Sequence, residues 1–248
     1  MRLSNKVAVV TGAASGFGRG IAERFAAEGA IVVVADRNAA GAHGVARKIG
    51  ENALSIGADV TDRDDVARMI DLAASVNGRL DVLVNNAGTT HVNKPLLDVT
   101  EDEFDRITAV NMKAIYLAAL QAVPIMAEQG GGSIITTAST AALRPRPGLT
   151  WYNASKGWTV TATKSMAVEL APMNIRVNCL CPVAGETGML AQFMGEDTPE
   201  LRAKFRATIP LGRLSTPKDM ASAALWLASD EAAFITGVAL EVDGGRCI

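Results

Sequence analysis

The chain has 248 residues, with 24 Lys and Arg against 26 Asp and Glu and a formal net charge of −2. Hydrophobic residues make up 49% and charged residues 20%, the balance of a globular protein with a sizeable core and not of a disordered or collagen-like chain. The near-neutral charge offers no basic field for a phosphate backbone and argues against nucleic acid as a partner. Apolar runs are broken every few residues by charge, Gly or Pro, short of the roughly 18–20 residues a membrane span needs.

Residues 1–6 lead directly into Val7-Ala8-Val9-Val10, a run too short for a signal peptide and followed by a glycine turn, so 7–11 reads as a strand. A helix follows at 18–28, then a strand at 31–35, a helix at 39–49 and a strand at 53–58. A helix over 62–76 starts at Thr61 or Asp62 as N-cap, and 80–84 is a strand. Residues 101–129 are helical with Pro124 as a kink, 132–138 a strand, 151–170 a helix and 176–181 a strand. Pro217 opens a helix over 217–228, and 238–242 is a last strand.

This alternation predicts one α/β domain over 1–248, a doubly wound, seven-stranded parallel sheet with helices on both faces. Residues 186–211 break the rhythm, with Pro199 and Pro210 and a mixture of apolar and charged side chains, and read as a substrate lid. Cys179, Cys181 and Cys247 are too few for a disulfide framework. They read as free thiols in a reducing cytoplasm, with no metal site.

In such a sheet ligands bind beyond the carboxyl ends of the strands, so residues there are the candidates. Thr11-Gly12-Ala13-Ala14-Ser15-Gly16-Phe17-Gly18 joins the first strand to the first helix. Its glycines allow a tight turn and let backbone N–H groups approach a pyrophosphate at a helix N-terminus. Asp36 ends the second strand, 18 residues after Gly18. A carboxylate there can accept from both adenosine ribose hydroxyls and would repel a 2′-phosphate, which favours NAD over NADP. Arg37 could pair with a 2′-phosphate or stack on adenine instead. Tyr152 and Lys156, four apart, share one helix face, where the ammonium is expected to lower the phenol pKa for proton exchange with an alcohol or ketone. Ser139, 13 residues before Tyr152 at a strand end, can hydrogen-bond the same substrate oxygen.

With these motifs stand Asp59-Val60, Asn85-Asn86-Ala87-Gly88, Asn111 and Pro182 through Thr187, in order along nearly the whole chain. Together they resemble the short-chain dehydrogenase/reductase family. The resemblance implies a Rossmann-type fold, Tyr152 as general acid/base, Ser139 polarising the substrate oxygen, and Lys156 binding the nicotinamide ribose. It further implies that Asn111 holds a relay water, Asp59 and Val60 meet the adenine, Asn86 meets the adenosine ribose, and Ala87-Gly88 leave room for NAD. Gly185 and Thr187 would meet the nicotinamide half. The family's Pro-Gly is Pro182-Val183 here, which alters the backbone path at Val183. Family members tend to be homotetramers, and the implied partner is a small molecule.

The substrate pocket is expected to involve His91, Arg144, Arg146, Trp151, Glu186 and Met189, with Phe193 and Met194 from the lid. Arg144 and Arg146 could clamp a carboxylate or phosphate, or face solvent or a subunit contact. The expected reaction is NAD-dependent interconversion of a secondary alcohol and its ketone, in a small alcohol, polyol, sugar or hydroxy acid. The alternatives are 3-oxoacyl-(acyl-carrier-protein) reduction and a non-catalytic nucleotide-binding regulator. Glu128, Gln129 and Met173 occupy positions where carrier-protein reductases usually carry basic residues.

Overall fold

The computed structural model describes residues 1–196 and 198–248; Asp197, inside the expected lid, lies outside the described residues. Short runs of Val, Ile, Leu and Ala become strands because both of their faces are covered by helices. The strands are β1 (Val7–Thr11), β2 (Ile31–Asp36), β3 (Ala53–Gly57), β4 (Val82–Asn85), β5 (Gly132–Thr137), β6 (Ile175–Pro182) and β7 (Ala239–Val242). They form one parallel sheet in the order β3-β2-β1-β4-β5-β6-β7. The order reverses between β1 and β4, which opens a crevice at the carboxyl ends of those two strands.

The helices are α1 (Gly16–Ala27), α2 (Ala39–Ile49), α3 (Arg63–Ala74), α4 (Glu101–Thr108), α5 (Ala114–Glu128), α6 (Thr150–Leu170), α7 (Leu190–Met194), α8 (Pro199–Arg206) and α9 (Pro217–Ala228). Strand alternation divides the core into two layers. Ala8 and Val10 of β1 join Ile21 and Phe25 of α1 and Leu225 of α9 on one side. Val7 and Val9 join Met69 and Ile70 of α3, Leu117 of α5 and Ala167 of α6 on the other. Each fully buried Val, Leu or Ile of this kind contributes about 1.5–3 kcal/mol.

The expected helix at 18–28 begins two residues earlier, at Gly16, which enters it with a left-handed φ of +55° that glycine allows. Asp62 is the cap of α3, accepting the Asp64 and Asp65 N–H groups at 2.9 Å. The region expected as one helix over 101–129 is α4, a π-helical turn at Ala109–Lys113, and α5 with Pro124 inside it. An 18-residue window within Glu101–Glu128 has a mean hydropathy of 1.3 and is long and apolar enough, by length and composition, to cross a membrane. Buried helices of a globular core meet the same length and composition. Here Leu117, Ala118, Ala122 and Met126 of this run pack into the core beside α3. The segment expected to be a lid carries α7 and α8, whose Leu190 and Phe205 pack on Val183, Ile209 and Leu214.

Candidate active site

The turn after β1 is shaped by glycines that no other residue could replace. Gly12 has φ +63°, and a Cβ on Gly18 would lie 2.3 Å from the Gly12 carbonyl oxygen. Ser15 precedes α1 in an extended conformation and makes no side-chain cap bond, so the first-turn N–H groups of Gly16, Phe17 and Gly18 face outward without an intrahelical acceptor. Such a helix start attracts an anionic group. Asn86 braces the turn from β4: its Nδ2 donates to the Thr11 carbonyl at 2.9 Å, and its Oδ1 accepts from Thr137 Oγ1 at 3.2 Å. The Asn86 side chain is thus committed to the protein, and a direct ribose contact would fall to its backbone.

Asp36, at the end of β2, accepts the Ala14 N–H at 3.0 Å and the Asn38 N–H at 2.9 Å. A carboxylate has about four acceptor positions, so two remain for hydroxyl donors. Asp59 lies near the exposed Arg37. Thr61 donates to Asp59 through both N–H and hydroxyl, which, with the Arg37 charge, holds its carboxyl below the usual range.

One cleft of about 820 Å³ runs from Asp36, Arg37, Asp59 and Val60, past Gly12, Ser15, Gly16, Phe17, Ala87 and Gly88, to Ser139, Tyr152 and Lys156. Its far wall is Pro182, Val183, Gly185 and Thr187. Gly185 is required there, because a Cβ would lie 2.2 Å from the Phe17 ring. Val183 is buried against Leu190 of α7 and Phe205 of α8, a packing role that the family's usual glycine lacks. These residues suit a dinucleotide: an N–H-rich helix start for the pyrophosphate, a free-sided carboxylate for the ribose, and glycines that leave the space open.

At the inner end, α6 presents a buried polar face carrying Tyr152, Ser155 and Lys156. Ser139 Oγ accepts the Ala141 N–H at 3.0 Å, and its hydroxyl favours the ionised form of Tyr152. Lys156 Nζ donates to the Thr137 carbonyl at 2.8 Å and sits 5.8 Å from the Tyr152 ring centre. Burial pushes the Tyr152 phenol up to about 12, opposed by the Ser139 hydroxyl and the charge of Arg146. Burial pulls the Lys156 ammonium down to about 8. In the ligand-free protein, Lys156 is not among the charges that lower this phenol. Desolvation outweighs every neighbouring charge, and the cation acting on the phenol is Arg146. Asn111, in the π-helical turn, accepts the Thr89 N–H and donates to the Thr89 carbonyl and Ser155 Oγ, at 2.9–3.0 Å. Its Oδ1 and Lys156 Nζ flank the same Gly88.

Of the expected substrate residues, Arg144, Arg146, Met189 and Phe193 line the cleft. His91, Trp151 and Glu186 do not. His91 is buried with Nδ1 2.8 Å from the Val92 carbonyl oxygen. Trp151 packs edge-on against Phe104 of α4, with ring centres 5.4 Å apart. Glu186 is exposed and borders a neighbouring depression with Arg19 and Arg202. Met194 packs against the cluster of Val183, Leu190 and Phe205 instead. The sequence reading missed Phe205, Leu149 and Arg246, all of which line the cleft. The Gly244-Gly245 turn brings Arg246 back to its own chain's cleft.

Cys179 and Cys181 are buried free thiols. Glu241, Asp243 and Cys247 have ligand-type atoms within 4.8 Å of one another. Asp243, however, accepts the Gly245 and Cys247 N–H groups at 2.8 Å, and burial with Asp243 pushes the Cys247 thiol up to about 11. The cluster is a terminal turn.

Residues 12–246 match the family described as enoyl-(acyl carrier protein) reductase. The chain is similar to a 4-formylbenzenesulfonate dehydrogenase of Comamonas testosteroni, 51% identical with both chains fully covered. It is 38% identical to a meso-2,3-butanediol dehydrogenase of Serratia marcescens, covering 99% of this chain and 96% of that one. Among solved structures it resembles a 3-ketoacyl-(acyl-carrier-protein) reductase from Brucella melitensis complexed with NADH. That likeness has a TM-score of 0.94 and 50% identity, over 99% of this chain and 100% of the other.

Proposed function

The chain belongs to the short-chain dehydrogenase/reductase family, and on that footing we propose that it uses NAD(H) to interconvert a carbinol and its carbonyl in a small molecule, with Tyr152 carrying the proton. The observation that carries this reading is the convergence of Ser139, Tyr152 and Lys156 at the inner end of the cleft that begins at the glycine turn. The relatives act as oxidoreductases by name, and the one named for 4-formylbenzenesulfonate extends the substrate class from ketones to aryl aldehydes.

Bound NAD⁺ would supply the hydride acceptor, and NADH the donor. The protein contributes position and proton transfer. Ser139 and Tyr152, both lining the inner end of the cleft, together hold the substrate oxygen. For oxidation, Tyr152 must lose its proton, which its burial opposes and the nearby Arg146 charge assists. Lys156 stays charged at neutral pH and is fixed by the Thr137 carbonyl, with Asn111 beside it to hold a water that returns the proton to solvent. Asp36 selects the unphosphorylated ribose, because a 2′-phosphate there would meet a carboxylate. The preference for NAD is tested by following reduction at 340 nm with NAD and NADP in parallel, across secondary alcohols, polyols, hydroxy acids and benzylic alcohols. Preference for NADP would reject the role of Asp36, and no turnover with any alcohol would reject the reaction.

A reductase of acyl-carrier-bound ketones is the second reading, favoured by the name of the Brucella melitensis structure. Against it, Glu128 is exposed and Gln129 is tied to the Leu80 carbonyl at 2.8 Å, so neither offers a grip for an acidic carrier. We read 1–248 as one domain with 186–211 as its lid, located in the cytoplasm, where its thiols remain free. Exposed Tyr116 and Leu120 of α5 and Trp158 and Val168 of α6 support assembly as a homotetramer through those helices.

A further inference from the structure

The charge along the cleft is divided between its ends. The lining carboxylates, Asp36 and Asp59, both lie at the adenosine end. The reaction end is lined by Arg106, Arg144, Arg146, Lys156 and Arg246 and, among the described residues, by no carboxylate. Arg146 is half-buried, with its guanidinium 4.6 Å from the centre of the Phe205 ring and one nitrogen 3.4 Å from the Phe193 carbonyl oxygen. Arg246 is close enough that its charge disfavours the charge on Arg146. No ion pair among the described residues engages Arg144, Arg146 or Arg246. Two like charges held together in a partly desolvated pocket are costly unless an anion completes the site.

The segment that delivers Arg246 is built for that position. Gly244 and Gly245 have φ +65° and +87° and pack on Ile209, Pro210 and Leu211 at the end of the lid. Asp243 holds the turn through two backbone N–H groups. Arg144 donates to the Arg246 carbonyl at 2.6 Å, which ties the terminal turn to the loop after Ser139. The loop that carries Arg146 is fixed in turn by Asn153 Nδ2, which donates to the Arg146 carbonyl at 2.8 Å. The space beside these cations is walled by aromatic rings: Phe193 lies 5.1 Å from Tyr152 between ring centres, and Phe205 lies under Arg146.

We propose that Arg146 and Arg246 form a subsite for an oxoanion, carboxylate or sulfonate, carried by an aromatic substrate whose carbonyl or carbinol reaches Ser139 and Tyr152. Arg144 is the positioning residue, acting through the Arg246 backbone. The inference rests on the hydride-transfer reading above and names its substrate class. Flat rings present faces to the aryl body, and two guanidinium groups offer the planar donor pairs that match an oxoanion.

The full chain is assayed with NADH and 4-formylbenzoate or the neutral 4-formylbenzamide, and benzenesulfonate binding is measured separately by calorimetry. The expected kcat/KM ratio of acid to amide is on the order of tenfold to a hundredfold, the range of a charge-assisted contact. The ratio should fall toward one in Arg246→Gln, through KM more than kcat, and partly recover in Arg246→Lys. Arg246→Gln should also lose benzenesulfonate binding. This variant sits in a terminal turn and keeps the test open should Arg146→Gln fail to fold. Equal use of acid and amide by the native protein, without benzenesulfonate binding, overturns the subsite while leaving hydride transfer standing. Benzenesulfonate binding that Arg246→Gln abolishes, with neither aldehyde reduced, supports the subsite and counts against the reaction. A ratio unchanged in Arg246→Gln removes Arg246 from the site.

Discussion

Burial moves Tyr152 up to about 12 and Lys156 down to about 8, so near pH 7 the phenol keeps its proton and the amine keeps its charge. The consequence for stability follows from proton counting. Between about 8 and the usual lysine value of 10.5, the unfolded chain binds more protons at Lys156 than the folded one, so this group makes folding more favourable as pH rises. Tyr152 acts oppositely between its usual 10.0 and about 12, where the folded state keeps the proton, so stability falls through that window. Urea midpoints between pH 8 and 10 should rise less in Lys156→Met than in the native protein; equal slopes would contradict the buried amine. In the ligand-free protein, the part of the 295 nm titration that disappears in Tyr152→Phe should have its midpoint near 12, and a midpoint below 10 would show that a cation does depress this phenol. Gly18 supports a separate expectation. Its replacement by Ala forces a Cβ to 2.3 Å from the Gly12 carbonyl oxygen and 2.5 Å from Asn86 Nδ2. Overpacking of this kind costs about 1–3 kcal/mol, visible as a lower thermal midpoint, and an unchanged midpoint would mean that the turn is not held as described.

At the scale of elements, α6 explains which site residues were legible. The Tyr152 and Lys156 spacing places both on one face because 3.6 residues make a turn. The same geometry puts Trp151 about 100° away, against Phe104, so sequence adjacency to Tyr152 did not make it a pocket residue. His91 and Glu186 stand beside cleft residues but do not line the cleft themselves: Thr89 lines it while His91 is buried against the Val92 carbonyl, and Gly185 and Thr187 line it while Glu186 borders the neighbouring depression. The strands were legible from their apolar runs. The π-helical turn at Asn111 was not, since it depends on tertiary hydrogen bonds to Thr89 and Ser155. The exit of β6 offers a test of the lid. Val183 is buried against Leu190, Phe205, Ile209 and Leu214. Val183→Gly removes about 1.5–3 kcal/mol of burial and should speed proteolytic nicking between α7 and α8 while lowering the thermal midpoint. Unaltered nicking would mean that the lid is anchored elsewhere.

For the whole molecule, the sheet brings an adenosine end, built mainly from residues up to Val60, to a reaction end assembled from β5, α6, the segment of α7 and α8, and the terminal turn. The first half was readable because its turn and Asp36 are close in sequence. Arg246 and Phe205 reach the cleft through contacts across 40 or more residues, as with Arg144 and Arg246, and no local pattern announces them. Exposed apolar side chains on α5 and α6 predict that light scattering at micromolar concentration gives four times the 25.9 kDa chain mass, and a monodisperse monomer would contradict that assembly. The most direct test of hydride transfer with Tyr152 as proton carrier compares the native protein with Tyr152→Phe at 340 nm, with nucleotide binding followed by fluorescence. The account predicts NAD-dependent turnover that falls on the order of 10²–10⁴-fold in the variant while NADH still binds. Full turnover in Tyr152→Phe would contradict it.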